Sequence, residues 1–437
     1  MNGKTGDKVP LNNRLDSRLR GNDVCDMQEL YKHFSVFPRT CRSRITSGTS
    51  DLQGYDNEIS SRDCMKMNSM IDPQKMAAEF AAEHISGRDD LQTGQDFPTD
   101  IWQKMGEAGL FKIGLPEIYG GAGGGYIELL RAGEAFVRSG GNLGLGVSWI
   151  FQQIIARFVM AGFGTPQQCE QYLRTAACGK CTLCFAVSEP KRGASPKTLT
   201  SSARKQDTSY CLNGEKTYLT NGPIADVFIV VAVTDDTQPL KSFTAFIVPR
   251  NTEGLTVTPP MPLNFLKPSP HGGIQLNNCL IGQNSVLGKE GSIWQDIVVP
   301  LGEIEDVVMT GPVLGGMAAE LDLLVTAIRE SQTSTERALL GELGALSALW
   351  HTLQTIACEA AGRLDQNDAS PLPLSITFAR LAAEFHTDIA KLSERWSIPL
   401  PDQYTCLHTD MASLGLLQQR RLQIRQEKIG GGLLNRS

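Results

Sequence analysis

Apolar residues recur at helical spacing from Asp72 onward, and the pattern changes twice before the chain ends. DPQKMAAEFAAEHI opens with Asp72 at the N-cap and Pro73 at the first helical position, a start signal for an amphipathic helix. PTDIWQKMGEAGLF predicts a second helix closed by Gly109, and IELLRAGEAFVRSGG a third. GLGVSWIFQQIIARFVMAG is apolar on most faces and predicts a buried fourth helix. TPQQCEQYLRTAACG predicts a fifth, capped by Thr165 and Pro166. Between Thr182 and about Leu287 the spacing switches to short β runs: FAV, YCLNG, TYLT, VFIVVAV, FTAFIVP, LTVTPP and GGIQLNNCLI. Turn residues separate them, as an all-β barrel or sandwich requires. YCLNG reads as a strand closed by an Asn-Gly turn, with KTYLT a separate strand. From Ile293 helical spacing returns in three long amphipathic stretches that begin near Gly302, Gln332 and Pro371. The expected fold is therefore multidomain α+β: an N-terminal helical domain over 70–180, a middle β-barrel or sandwich domain over 181–290 and a C-terminal helical bundle over 291–437.

Residues 1–69 carry no such pattern; they are polar and rich in Arg, Asn, Asp and Ser, and are expected to stay disordered or to be spurious. RLDSRLRGND, Arg14 to Asp23, resembles the translated form of a dispersed intergenic repeat, which would move the true start to Met65, Met67 or Met70. The net charge of -6 argues against a nucleic-acid partner. No apolar run is expected to span a bilayer, and the first residues lack the apolar core of a signal peptide. Eleven scattered cysteines read as free thiols of a cytoplasmic protein. Cys178, Cys181 and Cys184 have metal-like spacing, but no second pair lies near to complete a site, so no metal is expected there.

The chemistry concentrates between Phe185 and Asn221, where FAVSEP and LNGEKTYLTNG follow one another across a polar segment. These motifs resemble the flavin-binding β domain of the acyl-CoA dehydrogenase family, whose wording is close to T-E-P-x-x-G-S-D and then L-N-G-x-K-x-W/Y-I-T-N. IWQKMGEAGLFKIGLPEIYGGAGGG upstream, and GPVLGGMAAELDLLV and QIRQEKIGGGLL downstream, resemble other parts of that family. The resemblance runs from about Met70 to the end and is poor over Ser331 to Gln418. It implies the family's three-part fold, an FAD cofactor and α,β-dehydrogenation of an acyl-CoA. It further implies an electron acceptor such as an electron-transfer flavoprotein, and a homo- or hetero-oligomer. It places Ser188 at the isoalloxazine edge, with the backbone of Phe185 and Val187 on the same strand. Tyr218 falls at the position that packs on the flavin ring, Thr220 at the hydroxyl position near N5, and Gly193 in the phosphate-side G-S-D element. An aromatic residue and a threonine are also ordinary sheet formers.

Departures from the family pattern point the other way. G-S-D is Gly193-Ala194-Ser195, and Ser331 stands where the family's R-x-x-F-G arginine reaches a neighbouring subunit's cofactor, with Arg329 two residues earlier. Each missing charge-assisted phosphate contact costs about 1.5–3 kcal/mol. Dehydrogenation needs a carboxylate to take the α-proton while the flavin accepts the β-hydrogen as hydride. Gln419 occupies the usual base position and Ile304 the alternative one. Glu305 and Glu303 flank Ile304 in GEIEDVV and are the candidate bases; with Asp306 they read more simply as solvated charges at a helix N-terminus. His271 and Lys267 are expected on a loop that could touch an anionic CoA tail. Two alternatives stay open: a catalytically silent homologue that pairs with an active subunit or binds acyl-CoA, and a flavin oxygenase on the same fold.

Overall fold

The computed structural model describes residues 72–437 except 95, 238–239, 332–335, 368 and 435–437, and leaves the side chains of 93 and 416–420 undescribed. The expectations for residues 1–69, including Arg14–Asp23 and the three candidate starts, lie outside the described residues.

Five helices of nine residues or more come first among the described residues: α1 Pro73–His84, α2 Thr99–Glu107, α3 Tyr126–Gly140, α4 Leu143–Ile154 and α5 Pro166–Ala177, with a single turn at Asp90–Thr93 between the first two. Their caps are those the sequence proposes. Asp72 accepts from the Gln74 N–H at 3.0 Å, and Gly109 adopts φ +83°. Thr165 and Gln168 form a reciprocal capping box, with the Gln168 N–H 3.2 Å from Thr165 Oγ1 and the Thr165 N–H 2.9 Å from Gln168 Oε1. α4 widens into a π turn at Ile155–Met160 before a last turn at Ala161–Phe163. Trp149, Phe136 and Phe111 lie fully buried among these helices.

Eight strands follow: β1 Leu183–Ala186, β2 Ser202–Gln206, β3 Ser209–Thr220, β4 Val227–Asp235, β5 Ser242–Pro249, β6 Leu255–Val257, β7 His271–Gly282 and β8 Val286–Leu287. They form one sheet in the order β6-β7-β3-β2-β4-β5-β8, and β1 adds parallel to β4 from Leu183↔Val227 to Ala186↔Val230. The two-residue period sorts the side chains into two cores. Phe185, Val227, Ile229, Val231 and Ile247 join the core shared with the helices. Cys184, Ala186, Phe228, Val230, Phe246 and Val248 fill a second core within the β domain. The CGKCTLC thiols are split by the same rule: Cys184 enters the inner β core, Cys181 the helical core, and Cys178 is exposed.

Two strand expectations need correction. Asn213-Gly214 makes no turn; it lies inside the continuous strand β3, at a register shift between Leu212 and Gly214 against β7. Gly214 holds φ +144°, and a Cβ there would sit 2.6 Å from that of Ser201, so the glycine serves a bulge rather than a hairpin. β2 was not expected, because SARKQ buries Ala203 and leaves Arg204, Lys205 and Gln206 exposed.

The bundle comprises α6 Val299–Val308, α7 Thr310–Glu330, α8 Arg337–Gln366, α9 Leu372–Arg395 and α10 Asp402–Leu434. The first expected stretch is thus two helices, and a π turn at Trp294–Val298 precedes α6. α7 crosses α3 at glycine contacts: a Cβ on Gly311 would lie 2.2 Å from the Leu130 carbonyl oxygen, and one on Gly315 2.3 Å from that of Glu134. The expectation of no bilayer-length apolar segment also needs correction. Leu143–Phe163 (21 residues) and Trp294–Glu330 (37 residues) are long and apolar enough to cross a membrane by composition. The most apolar windows of these runs are 83% and 67% buried inside the fold, as core helices are.

Candidate functional site

β1 runs out through Val187 and Ser188 alongside the C-terminal half of β3. The Thr217 N–H donates to the Ser188 carbonyl at 2.9 Å. Beneath this junction Lys216, fully buried, donates its Nζ to the Val187 carbonyl at 2.9 Å and to Glu189 Oε1 at 3.2 Å. Glu189 is itself buried and accepts from the backbone of Thr200 and Ser201, the latter at 2.7 Å. Burial alone would raise the Glu189 carboxyl, but the hydrogen bonds from Ser201, the Lys216 charge and the Thr200 N–H hold it down at about 2. Burial pulls Lys216 down to about 8 against the pull of Glu189. Both groups are therefore charged at neutral pH, and the pair ties β1 to β3.

Above the clamp the strand bulges. The β3–β7 register shifts between Lys216 and Leu219, and Tyr218 inside that shift adopts φ +58° with its side chain 59% exposed. A tyrosine in the left-handed region is strained, and its exposed ring offers a free face beside the bulge. Two residues on, Thr220 Oγ1 lies 3.2 Å from His271 Nε2, while His271 Nδ1 lies 3.2 Å from the Ser269 carbonyl. The carbonyl requires Nδ1 to carry the proton, so Thr220 donates its hydroxyl to Nε2. Burial lowers the His271 pKa and keeps the ring neutral. His271 is thus the first residue of β7, not a loop residue. Phe185 and Val187 are buried with their side chains in the helix-facing core. Gly193 sits at φ +61° in the turn closed by its N–H to the Glu189 carbonyl, with open space where a Cβ would project.

The bundle-side candidates lie in another environment. α6 begins at Val299, so Glu303 and Glu305 fall beyond its first turn, which corrects their expected place at a helix N-terminus. Ile304 is 5% exposed and faces the core. Arg421 of α10 pairs with Glu305 at 3.4 Å and with Asp306 at 2.9 Å. Arg425 pairs with Asp306 and donates to the Gly302 carbonyl at 2.9 Å. Gln419 belongs to α10, but its side chain lies outside the described residues. Ser331 caps the end of α7, and Arg329 lines a groove of about 460 Å³ between α7 and α8.

Sequence reasoning missed Glu189 and Lys216 as a unit, although both letters stand in the two motifs. It also missed Asn221, which adopts φ +63° and donates its Nδ2 to the Ser148 carbonyl at 2.9 Å, joining the site to α4.

Models of the acyl-CoA dehydrogenase N-terminal and middle domains match residues 71–180 and 184–279. A mitochondrial isovaleryl-CoA dehydrogenase of Arabidopsis thaliana is 30% identical over 296 residues, covering 67% of this chain and 69% of that protein. The chain belongs to the acyl-CoA dehydrogenase family. A longer match, 27% identical over 369 residues, joins it to a mitochondrial 2-methylacyl-CoA dehydrogenase of Solanum tuberosum, across 83% of this chain and 88% of that one. Its fold is that of the butyryl-CoA dehydrogenase of Megasphaera elsdenii, with a TM-score of 0.71 at 19% identity over 87% of this chain and all of the other. Helical, β and helical parts in that order are the acyl-CoA dehydrogenase architecture, and the chain is an oxidoreductase-family flavoprotein by kinship.

Proposed function

We propose that the chain binds FAD along β1 and β3 and oxidises an acyl-CoA thioester between its α and β carbons. The observation that carries this reading is Tyr218, a strained and exposed aromatic ring over a buried ionic clamp. Strain of this kind persists where surrounding structure imposes it, and it clusters at ligand sites. The ring end of an FAD suits the residues present: Tyr218 offers a face, and Ser188 and Thr220 offer hydroxyls. The open turn at Gly193 leaves room on the phosphate side, where Ala194 replaces the family serine. Bound there, FAD would supply the acceptor for the β-hydrogen. The relatives named for acyl-CoA dehydrogenation support an acyl-CoA substrate. A relative named as a subunit of a caffeyl-CoA reductase–Etf complex supports an electron-transfer flavoprotein as redox partner. An oligomer working in the cytoplasm completes the reading.

Tyr218→Ala removes the stacking surface while leaving the buried core intact. Purified variant protein is expected to lose most of its absorbance at about 450 nm relative to wild type, with little change in melting temperature. Equal flavin content in the two proteins would show that the motif is only sheet.

The proton falls to Glu305 or Glu303. Glu305 must part from Arg421, 3.4 Å away, before its carboxylate can reach a substrate α-carbon. Glu303→Gln and Glu305→Gln are to be compared for turnover; loss of the base is expected to cost about 10²–10⁴-fold. If neither variant loses activity, the base assignment fails. The buried Ile304 and the Arg421 pairing favour a second reading, a silent homologue that holds acyl-CoA or an active partner subunit. An inactive wild type that gains α-proton exchange on Gln419→Glu would establish it.

A further inference from the structure

Far from the β1–β3 junction in sequence, three bundle helices bring together one carboxylate and two imidazoles. We propose that Glu320 of α7, His386 of α9 and His408 of α10 form a binding site for a divalent first-row transition-metal ion. One ligand atom from each lies within 4.8 Å of the other two. Two imidazoles and one carboxylate suit Zn²⁺ or Fe²⁺ and leave at least one coordination position open.

The carboxylate is the strongest sign. Glu320 is 0% exposed, and only its Oε1 has a partner, His408 Nδ1 at 3.0 Å. Oε2 is buried with no hydrogen-bond partner among the described residues. Leaving a buried carboxylate half-satisfied is costly, and such an atom calls for a ligand. The deficit is concentrated here. Of six buried polar side-chain atoms without a partner among the described residues, three belong to Glu320, His386 and Tyr404. Two of these residues stack on His408: His386 at 3.8 Å between ring centroids and Tyr404 at 5.6 Å.

The spacing also fits an ion. Two ligands of one tetrahedral Zn²⁺, at bonds of about 2.0–2.1 Å, sit roughly 3.3 Å apart. The Glu320–His408 separation of 3.0 Å, now a hydrogen bond, needs only a small opening to reach that, while the His386 nitrogen, within 4.8 Å of both, must draw in. The plain alternative is a Glu–His hydrogen bond with a stacked neighbour, but it leaves Oε2 and His386 Nδ1 unpaired. Metal binding replaces the proton shared by Glu320 and His408, which is released to solvent. It also turns one ring out of the parallel stack so that its nitrogen faces the ion. The ion would pin α7, α9 and α10 together in the part of the chain that matches the family least.

The test uses the full chain without a polyhistidine tag, stripped by a chelator and dialysed. Titration with Co²⁺ is expected to give visible d–d absorption that saturates at one equivalent, and Zn²⁺ should displace it; Fe²⁺, which binds such ligands more weakly than Co²⁺, is titrated separately into stripped protein without air. Glu320→Gln and, separately, His386→Phe should each weaken Co²⁺ binding by more than about 100-fold, beyond the usual effect of an outer-shell change. His386 is only half-buried, so its variant keeps the test alive if Glu320→Gln does not fold. Wild-type protein that takes up no Co²⁺, or variants that bind it as tightly as wild type, would overturn the site.

Discussion

Lys216→Met is expected to lower the stability of the folded chain by about 3–5 kcal/mol, the cost of stranding one member of a buried ion pair. Lys216 has no exposed side-chain surface and Glu189 only 4%, so solvent cannot take over from the missing ammonium. The variant leaves Val187 without its side-chain donor, loosens the junction of β1 with β3 although the Thr217–Ser188 backbone bond stays, and should release flavin as well. Glu189→Gln with Lys216→Met should recover part of the loss, because it removes the stranded charge and keeps an acceptor for the Thr200 and Ser201 N–H groups. Urea denaturation of the two variants measures both effects; a loss under about 1 kcal/mol for Lys216→Met would mean water reaches the pair. The pH dependence has a fixed sign. Glu189 titrates at about 2 in the folded chain against an ordinary 4.5, so the unfolded chain binds more protons between those values. Its contribution, on the order of 3 kcal/mol, is fully present above the ordinary carboxylate range and is lost as the pH falls toward 2.

Gly315→Leu is expected to be at least as damaging, through crowding instead of charge. The added side chain would start 2.3 Å from the Glu134 carbonyl oxygen and 2.9 Å from the Val137 Cβ. Both neighbours belong to the helix backbone or its first carbon, and neither can swing aside. Overpacking at such a crossing costs about 1–3 kcal/mol where relief exists, and more where it does not. The expected result is aggregated protein, or a melting point well below wild type by calorimetry. Gly344→Leu is the control, because nothing stands within 4 Å of its Cβ direction. Equal melting points for Gly315→Leu and wild type would show that α3 and α7 can part without loss.

The fold was legible where the signal is local. Asp72-Pro73 and Thr165-Pro166 carry their own caps, and the short continuous apolar runs around Phe228 and Phe246 announce buried strands. It was illegible where a residue's meaning depends on a distant partner. Lys216 looks like any polar strand residue until Glu189, 27 positions away, is placed beside it. Asn213-Gly214 carries a hairpin signature that the chain spends on a bulge, because β2 and β7 already flank β3. Glu303 and Glu305 read as helix-start charges, and only Arg421 and Arg425 on another helix show what they face. Candidate cofactor residues were found through short motifs; the ionic clamp that positions them depends on tertiary structure.

The alternation of β1, β4 and β5 between two cores carries a thermodynamic consequence. The sequence divides the chain into three successive pieces, but the larger core takes side chains from all of them, from Ala77 through Ile229 to Met411. Severed from its neighbours, the middle piece would present Phe185, Val227, Ile229, Val231 and Ile247 to water, a wet face wide enough to drive self-association. It is therefore a module of descent and not of folding. The shared core makes joint melting the expected result: one calorimetric transition would bear it out, and separate transitions would show that the pieces fold apart.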